Sequence, residues 1–122
     1  MAGEVLHEER GELTPQILDQ HRAMSTLMEE LEAIDWYNQR IKATDNQELQ
    51  SVLQHNRNEE KEHASMLLEW LRRHDAEFNT QLKKYLFSTG PIREIAQATE
   101  GGTATNGSDG SLAIGSMRAP RS

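Results

Sequence analysis

Three residues in this sequence have the types and spacing to act together: Glu30, Glu60 and His63, and the chemistry they suit is capture of a metal cation. Glu60-Lys61-Glu62-His63 sets a carboxylate and an imidazole three residues apart, which on a helix makes them neighbours. Together they offer one hard oxygen and one nitrogen to the same ion. Asn56, Glu60, His63 and Leu67 follow one helical face, which is apolar before them (Leu49, Val52, Leu53) and after them (Leu67, Trp70, Leu71). Ionisable groups within an apolar stripe are costly unless paired or bound to metal. Upstream, Ala23, Glu30 and Tyr37 recur every two turns beside the Leu27–Ile34 stripe, so Glu30 lies toward the core side with Tyr37 along the same face.

The elements that must position these groups are helical. Thr14-Pro15 opens the first, with Thr14 as N-cap and Pro15 at the first helical position. Ile17, Leu18, Met24, Leu27, Met28, Leu31, Ile34 and Ile41 recur at helical spacing with no Gly or Pro between them, which predicts a helix from Pro15 to Lys42. Ala43-Thr44-Asp45-Asn46 breaks the pattern, and Thr44 with Gln47 or Asp45 with Glu48 offers a capping box for a second helix ending near His74-Asp75. So short a loop makes the two helices antiparallel. Glu30 and Glu60 then lie equally far from Asp45 and can meet at one level. A weaker third helix is expected over Ala76–Phe87, stopped by Ser88-Thr89-Gly90-Pro91, and a short fourth from Pro91 to Ala98.

Carboxylate-bridged di-iron bundles draw one Glu from each of two helices and a Glu-x-x-His from each of the other two. This chain offers each once, which is half a site. A two-fold dimer of hairpins would supply the full set and a four-helix environment, and it would cover the second apolar face of each hairpin. The expected fold class is therefore all-α: an antiparallel two-helix hairpin plus short C-terminal helices, dimerising into a four-helix di-iron bundle.

The simpler readings weigh against this one by one. A lone Glu-x-x-His is usually a solvated coincidence, and it is the apolar stripe and the level Glu30 that favour metal. Glu29, Glu32, Glu59, Glu62 and Glu69 read most simply as a solubilising face, with Glu29 and Glu32, flanking Glu30, the best candidates among them for guiding iron inward and His55 able to join them. His55 reads more simply as a surface histidine than as an iron guide, His7, His21 and His74 carry no signal, and Trp36, Trp70, Met24, Met28 and Met66 read as packing residues.

The 122 residues carry a net charge of −7 and no cysteine, with 35% hydrophobic and 27% charged residues. The length supports one small domain with too little core to be secure alone. An acidic balance argues against nucleic acid or an anionic membrane as partner and suits a protein that handles cations. Without cysteine there are no disulfides, Cys-zinc sites or iron–sulfur clusters. No apolar run approaches the ~20 residues that span a bilayer, and the first residues are unlike a secretory signal, so a cytoplasmic protein is expected. Four segments follow: a flexible leader over 1–13, the helical domain over 14–98, a Gly-rich flexible linker over 99–110, and an apolar patch over 111–122 in which Leu112, Ile114 and Met117 stand out. An apolar knob on a tether fits capture by a partner's groove.

Met28-Glu29-Glu30-Leu31-Glu32-Ala33-Ile34-Asp35-Trp36-Tyr37 and His55-Asn56-Arg57-Asn58-Glu59-Glu60-Lys61-Glu62-His63-Ala64 resemble the two helices of the encapsulated ferritin family. Leu68-Glu69-Trp70-Leu71-Arg72-Arg73 and Tyr85-Leu86-Phe87 continue the likeness, which covers Thr14 to Ile95. The resemblance implies a ferroxidase that oxidises Fe(II) to Fe(III), a dimer building the di-iron centre, and a ring-shaped decamer with storage left to an encapsulin nanocompartment. It implies Glu30, Glu60 and His63 as iron ligands, Tyr37 behind them, and Glu29 and Glu32 where iron arrives. The tail from Asp109 to Arg118 resembles that family's encapsulation peptide, which docks on the encapsulin shell protein, with Ala113 where Gly is common and Met117 where Leu is usual. The ligand set by itself also fits a peroxidase or a manganese catalase, and a non-catalytic helical adaptor is the remaining rival.

Overall fold

The computed structural model describes residues 5–102. After a 3-10 turn at Arg10–Glu12 come four helices, α1 (Pro15–Ala43), α2 (Gln47–Arg73), α3 (Ala76–Tyr85) and α4 (Ile92–Gly102), and there is no strand among the described residues. The fold is all-α. It divides into two compact units, one running to Asp75 and the other starting at Ala76.

The first unit is the α1–α2 hairpin. Thr14 Oγ1 accepts the Ile17 amide at 3.1 Å, and Pro15 follows at the first helical position, where its missing N–H costs nothing. Arg40 and Lys42 in the last turn of α1 oppose the negative end of the helix dipole. The loop departs from the sequence expectation, in which Thr44 or Asp45 caps α2. Asn46 is the cap, its Oδ1 accepting the Leu49 amide at 2.9 Å, while Thr44 closes α1 by donating its amide to the Arg40 carbonyl. Thr44 Oγ1 also accepts the Asn46 amide at 3.2 Å, so a hydroxyl already engaged in the turn leaves the capping role to the next side chain. Gln50 then ties the loop down, its Nε2 donating to the carbonyls of Ile41 at 3.2 Å and Thr44 at 2.7 Å. These are among the orphan carbonyls that every helix end must satisfy.

Two polar clamps hold the hairpin along its length. Arg57 Nη1 donates to Asn38 Oδ1 at 3.1 Å, and at the far end Gln20 Nε2 donates to the His74 carbonyl at 2.7 Å. Apolar burial is thin: Ala23, Ala64 and Leu71 are the buried hydrophobic residues among those described. Ile17, Met24, Met28 and Leu31 instead line an exposed stripe on α1, and Leu49, Val52 and Met66 stand exposed on α2. A hairpin of this size therefore leaves a second apolar face without cover.

In the second unit, α3 stops at Tyr85, two residues before the expected Phe87, because Phe87 adopts left-handed backbone with φ 61°. Pro91 precedes α4 rather than joining it, its carbonyl accepting the amides of Glu94 and Ile95. The helix runs on to Gly102, beyond the expected end at Ala98 and into residues read as linker. Gln97-Ala98-Thr99-Glu100 contains no residue that would break a helix. Most of the expected linker, all of the apolar patch with Leu112, Ile114 and Met117, and the first four residues of the leader lie outside the described residues.

The Asn46 cap should be worth about 1 kcal/mol. Asn46→Ala is expected to lower the thermal midpoint in far-UV circular dichroism, and Asn46→Asp to keep it close to wild type.

Candidate metal centre

The hairpin brings Glu30 from α1 to Glu60 and His63 from α2, as their equal distance from the loop predicts. One donor atom of each lies within 4.8 Å of the other two, and this is the group of three potential ligands found among the described residues. His63 Nδ1 stands 3.6 Å from Glu30 Oε1 and 3.5 Å from Glu60 Oε1, too far for good hydrogen bonds. The side chains of Glu30 and Glu60 are 19% and 26% exposed, against 48% for His63, so the carboxylates are drawn into the seam while the imidazole reaches outward.

Glu30 Oε1 is buried and has no hydrogen-bond partner. A shielded oxygen without a donor is costly, and a cation is the partner that would satisfy it. The Glu30 carboxyl is held above its ordinary 4.5, first by the Glu60 carboxyl beside it, with which a retained proton could be shared, then by burial and by the charge of Glu60. His63 pulls the other way and does not outweigh them. Two carboxylates this close cannot both ionise freely unless positive charge is placed between them. The donor set, two carboxylates and one imidazole without sulfur, fits iron and other ions that accept mixed oxygen and nitrogen ligation.

The other residues singled out from the sequence stand outside this group. Tyr37 is half-buried farther along α1, Glu29 is half-buried, and Glu32 is exposed. His55 pairs with Glu59 on its own helix at 3.1 Å, the surface arrangement expected of it. His74 had no assigned role, yet it ends α2. Its amide donates to the Leu71 carbonyl, its Nδ1 sits 2.8 Å from the Trp70 carbonyl, and its ring stacks on Trp70 with centroids 3.9 Å apart. A basic residue one position past a helix is the signal that could have shown it. Glu69, read as part of a solvated face, is gripped by Arg72 and Arg73 at 2.7–2.8 Å, which holds its carboxyl down at about 2. Its spacing from both arginines marks the pairing.

Comparison with known proteins converges on one group. Residues 5–89 match the EncFtn-like family. An encapsulated ferritin-like protein of Rhodospirillum rubrum is 49% identical over 121 residues, covering 92% of this chain and 86% of its own. A ferritin-like protein of Thermotoga maritima is 47% identical over 103 residues, with 84% and 90% covered. An encapsulin nanocompartment cargo protein of Myxococcus xanthus is 36% identical over 99 residues, with 73% and 76% covered. Among solved structures, the crystal structure of a Nitrosomonas europaea protein superposes with a TM-score of 0.70 at 53% identity, covering 73% of this chain and 98% of that one.

The crowding at Glu30 has a consequence for the metal-free protein. A carboxyl whose folded value is raised is favourably protonated when folded, so its contribution is best below 4.5 and turns unfavourable as pH rises through the folded value. With a chelator present, Glu30→Gln is expected to melt higher than wild type near pH 7, and the gap should close toward pH 4. Melting curves across that range check it, and a gap that is constant with pH would count against the crowding.

Proposed function

The chain belongs to the EncFtn-like family, and from that membership we propose that it is a ferroxidase, taking Fe(II) as substrate and passing its electrons to dioxygen. The observation that carries the reading is the buried, partnerless Glu30 Oε1 facing Glu60 and His63. Iron supplies the one-electron chemistry. The protein's residues would bind and place it: Glu30 and Glu60 would supply carboxylate oxygens, and the His63 of each copy would supply one nitrogen. Oxygen-rich ligation stabilises the ferric product relative to the ferrous substrate.

One chain holds three ligands, and a di-iron centre requires twice that. A second copy related by a two-fold axis completes the set, and the exposed Ile17–Leu31 stripe on α1 gives the pair an apolar surface to bury. Stability and chemistry thus call for the same association. A ring of such pairs, a decamer, is the assembly proposed. Tyr37 would orient the carboxylates from behind, and Glu29 and Glu32 would gather Fe(II) at the approach.

The relatives named for encapsulation support a cargo role. In this reading Leu112, Ile114 and Met117 dock on the inner wall of an encapsulin shell, where the ferric product accumulates as mineral. The acidic surface and the tail favour iron handling over peroxide disproportionation, and the relative turnover of Fe(II) and hydrogen peroxide separates the two.

Anaerobic Fe(II) titration with native mass spectrometry is expected to saturate near one iron per chain, with pairs or larger assemblies appearing as iron binds. Uptake by single chains alone would sink the shared centre. His63→Ala or Glu30→Ala should cut Fe(II) oxidation by about 100-fold or more with helix content kept, since even indirect partners of metal ligands are worth 10–100-fold. Removal of residues 111–122 is expected to abolish co-purification with the shell while leaving Fe(II) oxidation intact.

A further inference from the structure

Asn56 sits on α2 four residues before Glu60, on the face that also carries His63 and Leu67. Asparagine is a poor residue for the middle of a helix, because its amide competes for backbone groups and gains nothing there unless it finds a partner. Other asparagines of the hairpin have found one. Asn38 Oδ1 accepts from Arg57 at 3.1 Å, Asn58 Oδ1 accepts from the same arginine at 3.3 Å, and Asn46 Oδ1 caps α2. The Asn56 side chain is half-buried, and its amide makes no hydrogen bond among the described residues. Ile34, equally far from Asp45 on α1, has no polar side-chain atom to give it.

The neighbour one turn on has the complementary shortage. Glu60 is 26% exposed, and no N–H or O–H group among the described residues donates to it at good hydrogen-bond distance, His63 Nδ1 standing 3.5 Å away. Residues four apart on a helix have Cβ atoms about 5–6 Å apart, and long side chains lean toward the helix N-terminus. The Glu60 carboxylate therefore reaches back over the turn that holds Asn56. Asn56 Nδ2 carries two N–H donors, and an ionised carboxylate only accepts. Arg57, the other donor one turn before Glu60, is already engaged by Asn38 and Asn58. His63 stands one turn beyond Glu60 and Asn56 one turn before it, so imidazole and amide approach the carboxylate from opposite ends.

We propose that Asn56 is a positioning residue of the metal centre: when a cation binds, its side-chain amide donates to the Glu60 carboxylate and holds it toward Glu30 and His63. This role follows from Glu60 acting as an iron ligand and adds what keeps that ligand in place. A carboxylate tied to a fixed amide has less freedom to lose when the ion arrives, so Asn56 raises affinity without touching the metal. It also accounts for a poor helix former in the middle of α2.

The test uses the full chain, titrated anaerobically with Fe(II) alone and followed by native mass spectrometry, with melting curves taken in chelator. Asn56→Ala is expected to bind Fe(II) about tenfold or more weakly, as for loss of a hydrogen-bond partner of a ligand. Its melting temperature in chelator should hold or rise, because alanine is the better helix former. Asn56→Gln keeps an amide at the same helical position and should bind close to wild type. Wild-type affinity in Asn56→Ala would overturn the role. So would lower melting temperatures and equal losses of affinity in both variants, which would make Asn56 a packing residue. Weakened binding in Tyr37→Phe with Asn56→Ala unaffected would give the donor's place to Tyr37. Wild-type protein that takes up no Fe(II) refutes the metal centre itself, whereas wild-type protein that binds with Asn56→Ala matching it refutes the role of Asn56 alone.

Discussion

A carboxylate oxygen shielded from water and given no donor is among the less favourable states a side chain can occupy, and Glu30 Oε1 is held in it by the α1–α2 seam. Its neighbours worsen matters. Glu60 adds a like charge, and the His63 imidazole stands too far away to hydrogen-bond well. The strain is localised where a cation would relieve it, the arrangement expected when a fold gives up stability to keep a binding site ready. Caps, clamps and loop all act to keep Glu30 level with Glu60 and His63. A one-residue slip between the helices would turn Glu30 by about 100° and dissolve the group.

The rest of the hairpin is built economically, and that has its own consequence. With so few residues buried, the pairing of α1 and α2 leans on polar fastenings: Gln50 at the loop, Arg57 to Asn38 at mid-length, and Gln20 to the His74 carbonyl at the open end. Such bonds fix register well but add little net stability each, of the order of 1 kcal/mol. The apolar stripe left bare on α1 is the larger reserve of unburied surface.

Features removed from Glu30, Glu60 and His63 obey a different logic. The Glu69–Arg72–Arg73 cluster and the Trp70–His74 stack stiffen the last turns of α2. They make that end of the hairpin a firm surface, and the exposed Phe87 of the other unit is firm in its own way, locked by the hydrogen bonds around it.

Much of this was legible in the residues. Uninterrupted helical spacing from Ile17 to Ile41 dictated α1, Thr14-Pro15 dictated its start, and the short polar break after Lys42 dictated an antiparallel return. Those are local rules, satisfied within a few residues, so one sequence is enough to read them. The equal spacing of Glu30 and Glu60 about the loop was legible for the same reason: helix geometry converts residue number into height. The choice of cap was not, because Thr44, Asp45 and Asn46 are all competent, and the turn decided by drawing Thr44 into its own hydrogen bonds. Nor was the end of α3, where Phe87 takes a backbone that its residue type disfavours. Only the packed hairpin could show that Glu30 Oε1 is buried without a partner, since burial and the absence of a donor depend on every neighbour at once. Residue types set which groups could meet; the three-dimensional arrangement decided which of them were left unsatisfied.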